Sequence, residues 1–208
     1  MIKSIEKLID IVANYKTSVI EYHEERERLQ RQYADGQIAT VNFDSSLKNL
    51  DVSMERKAEE YKQQYKTAFQ PAVEAVRHDI SNPKFAFDTG FRNVIETIKN
   101  SDGVYDLEAE VLRGMIAPYL EDYAARKLIA ATLDKYTALK SSFFDIHTVN
   151  PLYALQSLAG QEEIEFGSWT SNPGSAFYNN NGLRMKLEAL LALANGETAD
   201  IPKTSFIF

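Results

Sequence analysis

The chain has 208 residues, 44% of them hydrophobic and 25% charged, with eleven Tyr, eleven Phe, one Trp and no Cys. That balance belongs to a folded protein rather than a disordered tail, and the lack of thiols excludes disulfides, cysteine nucleophiles and zinc sites built on sulfur. The net charge of −7 is shared, with 12 basic and 14 acidic residues in 1–80 against 11 and 16 in 81–208, so neither half is basic enough to neutralise nucleic-acid phosphates.

From Ile2 to Tyr33 there is neither Pro nor Gly, and Ile5, Leu8, Val12, Tyr15, Val19, Tyr22 and Leu29 recur at alternating steps of three and four, broken only by Arg26. This is one stripe along a long helix, on the order of 45 Å at 1.5 Å per residue. Arg26, Arg28 and Arg31 alternate with Glu24, Glu25 and Glu27, the pattern of a solvated helix face. Glu6 and Asp10 interrupt any apolar leader, and no run reaches the ~18 apolar residues of a membrane span. The expected location is cytoplasmic.

Gly36 can take the left-handed conformation that ends a helix, and Thr40 can cap the next. Between them Ile38, with Phe43 just beyond, can plug the open end of a helix pair. The set Gly36, Ile38, Thr40, Phe43 and Asp44 resembles the turn of the short bacterial helical-hairpin modules of the SHOCT type. The resemblance covers a small part of the chain and implies antiparallel geometry, with no function attached.

The second helix, about 41–80, carries Leu47, Met54, Ala58, Tyr61, Tyr65, Ala68, Ala72 and Ala75 on one face, and its small residues permit close approach of a partner helix. A further stripe of Phe69, Val73, Val76 and Ile80 predicts that its end is covered on two faces. Pro71 lacks the amide proton used inside a helix, so a kink or a fresh start is expected there. Ser81-Asn82-Pro83 is the clearest breaker and sets the expected boundary: residues 1–80 as a projecting helical hairpin of coiled-coil type, and 84–208 as an all-helical body.

In the body, Phe91, Val94, Ile95 and Ile98 form an apolar face after Asp88, and Leu107, Val111, Leu112 and Met115 mark the next helix. Pro118 then opens a helix expected to turn Tyr119, Leu120, Tyr123, Leu128, Ala131, Tyr136 and Leu139 inward. Asn150-Pro151 is a cap and first-turn pair opening a short helix that Gly160 closes, and 183–194 is the last helix, stopped by Asn195-Gly196. Between Gly160 and Gly182 the helical period disappears, which reads as one long irregular loop. Its Phe166, Trp169, Phe177 and Tyr178 argue for contact rather than disorder. The apolar end Ser205-Phe206-Ile207-Phe208 is expected to dock on something.

The common catalytic patterns are missing. No GxGxxG or glycine-Lys phosphate loop occurs, and Ser168 beside Gly167 lacks the second glycine of a nucleophile elbow. None of His23, His78 and His147 has the spacing that puts two metal ligands on one helix face. His78-Asp79 and Asp145-x-His147 can orient an imidazole, but a helix-end His on terminal carbonyls is the simpler reading. The acid pairs Glu108/Glu110, Glu121/Asp122 and Glu162/Glu163/Glu165 read as solvated surface. No cofactor and no metal site is expected.

The sequence therefore predicts an all-α chain, an N-terminal hairpin on a helical bundle, acting as a non-enzymatic interaction or assembly factor, a virus-encoded accessory protein being one form of that role. Its partners would be proteins, including further copies of itself, met through Ile38, Phe43, Phe166, Trp169, Phe177 and Tyr178, with no direct contact to nucleic acid or membrane. Two other classes stay open: an acidic inhibitor that imitates nucleic-acid phosphates, and an enzyme of unfamiliar type built around His147.

Overall fold

The computed structural model describes residues 1–82, 88–100, 109–135, 149–171 and 182–196. Expectations resting on Leu107, Glu108, Tyr136, Leu139, Asp145, His147, Phe177, Tyr178 and 205–208 fall outside the described residues. Among the described residues the structure is all-helical, without strands, and no helix is long and apolar enough to cross a membrane. The helices are α1 (Ile2–Ala34), α2 (Thr40–Ser81), α3 (Thr89–Asn100), α4 (Ala109–Ile116), α5 (Tyr123–Leu133), α6 (Pro151–Gln156), α7 (Gln161–Glu165) and α8 (Leu183–Ala194), with 3₁₀ turns at Ala117–Tyr119 and Ser168–Thr170.

The chain divides into two compact units, one of residues 3–71 and 158–188, the other of 1–2, 72–157 and 189–208. The division falls at Pro71, which α2 passes without a break. α2 ends at Ser81, where the Ser-Asn-Pro breaker predicts.

In the first unit, α1 and α2 pack closely as a helical hairpin. Each member of the predicted α1 stripe is buried: Ile5, Leu8, Val12, Tyr15 and Val19 completely, Tyr22 and Leu29 nearly so. The polar interruption is filled by a network in which Arg26 Nη1 donates to the Tyr22 hydroxyl (2.6 Å) and to Asp51 Oδ1 of α2 (3.2 Å), while Tyr22 donates to the same oxygen (2.7 Å). From α2, Met54, Ala58, Tyr65 and Ala68 are buried on the predicted face. The turn satisfies its carbonyls as a left-handed glycine cap should: Gln37 N–H reaches Gln32 O, Gly36 N–H reaches Tyr33 O, and Gly36 has φ +69°. Thr40 is already the first residue of α2, and its hydroxyl lies 3.4 Å from that of Tyr33.

In the second unit Phe91, Val94 and Ile98 of α3, Leu112 and Ile116 of α4, and Ala125, Ile129 and Leu133 of α5 share one core. α3 begins where Asp88 Oδ1 accepts from Phe91 N–H at 2.8 Å. Here the sequence reading needs two corrections. Val111 is 51% exposed, since Leu112 and Ile116, one helical turn apart, take the inward face of α4. Leu128 and Ala131 also face out. The helix does not run on from Pro118: Asp122 caps a new one, its carboxylate accepting from Ala124 and Ala125 N–H, and the restart sets the phase so that Ala125, Ile129 and Leu133 point inward.

Arg126, on that face, is 2% exposed. Its Nη1 donates to Leu193 O (2.6 Å) and Leu120 O (3.1 Å), tying down the C-terminal end of α8, which stops at Asn195-Gly196 as predicted. Burial lowers its basicity.

Candidate functional site

The stretch expected to be an irregular loop holds two short helical turns in its described part. α7 has five residues, and Ser168–Thr170 is a single 3₁₀ turn. Neither is long enough to display a period, which is why the sequence shows none. Gly160 does not close α6, which ends at Gln156; it adopts φ +84° immediately before α7. Gly167 is needed for proximity, because a Cβ there would lie 2.9 Å from Glu163 O. Ser168 is an ordinary serine that donates to Glu165 O at 2.6 Å.

This segment lies on the hairpin within the first unit. Phe166, expected at the contact surface, is instead a core residue at 2% exposure, its ring 4.8 Å from Tyr15 and 5.9 Å from Tyr65. An aperiodic stretch carries no signal for which face an aromatic takes, so burial was not legible there. The Tyr15 hydroxyl donates to Phe166 O at 3.0 Å. Trp169 is half-buried, its ring edge-on to Tyr22 at 5.3 Å. Its carbonyl accepts from His23 Nε2 at 3.0 Å, so that nitrogen carries the proton.

Polar contacts surround these. Glu163 bridges Lys62 (2.7 Å) and Lys66 (2.6 Å) of α2, and those two hydrogen bonds hold its carboxyl below the ordinary range. Glu165 lies 3.7 Å from Lys16 and accepts from Leu183 N–H at 3.1 Å, capping α8 from outside that helix. The Tyr65 hydroxyl is fully buried with no hydrogen-bond partner among the described residues, and burial, aided by Glu162 and Glu165, raises its pKa far above that of an ordinary phenol. Sequence reasoning had no means of finding that orphan.

Between this segment and α2 runs a groove of about 550 Å³. Val52, Ala58, Phe166 and Trp169 supply its apolar lining, and Glu55, Arg56, Glu59, Lys62 and Glu163 its charged rim. Val52 is 57% exposed. Farther along α2 a second groove, about 750 Å³, shares Arg56 and Glu59 and has Ile11 and Ala68 among its lining residues. Of the other predicted contact residues, the two that are described sit at the hairpin turn, away from Trp169 in sequence: Ile38 and Phe43 are both half-buried, and Phe43 stacks on Tyr33 at 4.4 Å.

For chemistry there is less. Among the described residues no three His, Cys, Asp or Glu gather where they could hold a metal ion. The His78 side chain is 74% exposed beside Asp79 and stands on the helix surface. No protein-family model matches the chain, and neither the curated proteins nor the solved structures contain a match.

Proposed function

We propose that the chain is a protein-contact module in which the α1–α2 hairpin presents the Trp169 groove to a protein partner, a second copy of the chain included. The observation that carries this reading is the pairing of a half-buried tryptophan with an exposed valine in a groove rimmed by charge. An aromatic anchor with polar surroundings is the usual composition of an interaction hot spot, because Trp contributes large contact area at small entropic cost.

The imitation of nucleic acid has less support. Many surface acids are neutralised by neighbours on their own helix: Glu25 by Arg28, Glu27 by Arg31, Glu60 by Arg56, Glu74 by Arg77, Glu96 by Lys99 and Glu188 by Arg184. A phosphate mimic needs unpaired negative charge facing its target.

The test is native mass across a concentration series, together with affinity capture from the source cell by the wild-type chain and by Trp169→Ala. A complex that Trp169→Ala weakens supports the proposal. A chain that stays monomeric and captures nothing, or a complex indifferent to Trp169, refutes it.

A further inference from the structure

Residues 161–171 hold on to the hairpin in an unusual way. Of residues 159–171 only Phe166 is buried. The other attachments are the half-buried Trp169 ring, edge-on to Tyr22, and a set of polar contacts: Glu163 to Lys62 and Lys66, Glu165 to Lys16, Tyr15 to the Phe166 carbonyl and His23 to the Trp169 carbonyl. The five-residue helix is too short to be stable by itself, and the segment begins at a left-handed glycine, Gly160, with open space around its α-carbon. Beneath lies a Tyr65 hydroxyl with no partner, which water would satisfy on opening.

We infer that residues 161–171 form a latch: a strap with Phe166 as its single fully buried plug, which lifts from the Tyr15–Tyr65 seam as a unit while the α1–α2 hairpin stays folded. Segments that open below the global unfolding free energy are those with few buried apolar contacts, and this one has one buried side chain and, at Glu163, ion pairs open to solvent. The seam has neither weakness, since Tyr15, Val19 and Tyr65 are fully buried along helices of 33 and 42 residues. The inference concerns the same surface as the contact proposal without depending on it, because it is measured on the chain alone.

Native-state amide hydrogen exchange tests it. In the latch, Phe166 N–H bonds Glu162 O and Ser171 N–H bonds Ser168 O; in the hairpin, the amides of Tyr15 and Val19 report the seam. The latch amides are expected to open at least about a hundredfold more often than the seam amides in the wild-type chain. Phe166→Ala should raise latch opening by about a further hundredfold or more. Should that variant disturb the hairpin, the surface double variant Lys62→Gln/Lys66→Gln leaves the plug in place and should speed latch opening a few-fold with the seam unchanged. Equal opening of latch and seam in the wild-type chain, or equal acceleration of both in the double variant, would overturn the inference.

Discussion

Trp169→Ala separates a contact residue from a core residue. The substitution keeps the backbone carbonyl that accepts from His23 and removes the ring that meets Tyr22 edge-on at 5.3 Å. The aromatic pair is worth about 1 kcal/mol, and the covered part of a half-buried indole, on the order of 100 Å² of apolar area, about 2–3 kcal/mol at 25 cal/mol per Å². A loss of about 3–4 kcal/mol lowers the melting temperature by about 6–16 °C in a chain of this size. A hot-spot tryptophan adds a binding loss of at least ~2 kcal/mol, some thirtyfold in Kd. Circular-dichroism melting measures the first effect, and sedimentation equilibrium of the self-associating species or calorimetry with the captured partner the second. A melting temperature lowered by this amount or more with the Kd unchanged would refute the contact role, since packing alone would then account for the ring.

Four further outcomes follow from individual residues. Tyr65→Phe deletes a buried hydroxyl that bonds nothing, so urea unfolding should show unchanged or raised stability, by up to about 1 kcal/mol. Arg126→Ala removes the side-chain donor from the Leu193 and Leu120 carbonyls, of which Leu193 keeps the Gly196 N–H, and leaves a cavity, costing about 3–5 kcal/mol in urea unfolding, while Arg126→Met, which refills the space, should recover at least a third of that. Full recovery by Met would mean that the cost of burying the guanidinium outweighs its hydrogen bonds. Glu163 has a folded-state pKa held low by Lys62 and then Lys66. Its contribution is therefore complete above the ordinary carboxylate value, about 4.3, and is lost as pH falls through the lower folded value. Trp169 emission titrated from pH 7 to pH 3 should report that release, and Glu163→Gln should flatten this part of the curve. Partner binding that stays constant from low to high salt would remove the acidic-mimic alternative, since screening must weaken it.

How far the fold was legible depended on length. α1 could be assigned residue by residue because 33 residues give the period many repeats, and one exception, Arg26, does not disturb the phase. The glycine cap at Gly36 and the Asn150-Pro151 start were readable because each is local chemistry: Asn150 Oδ1 accepts from Leu152 and Tyr153 N–H as its sequence position predicts. α5 was misphased because Pro118 looks like a helix start, whereas the Asp122 carboxylate provides the stronger one four residues later. α7 and the turn holding Trp169 were invisible for want of repeats. In the candidate site the aromatic residues were legible but not their exposure: Trp169 lines the groove half-buried, while Phe166 is fully buried against the hairpin.

The seam shows why tyrosine stands where leucine would fill the space. A leucine stripe tolerates axial sliding, because apolar contacts are nondirectional. Each buried phenol, by contrast, requires one partner at one place, or leaves an unsatisfied donor. Tyr22 finds Asp51 across the hairpin and thereby sets the register of α2 against α1; Tyr15 finds the Phe166 carbonyl and thereby sets the seat of the strap. Tyr65 finds nothing, so at that position the directional group sets no register and only costs stability in the closed state. Two tyrosines specify how the pieces fit and a third favours their parting, an arrangement suited to a segment that must close in one position and still be able to open.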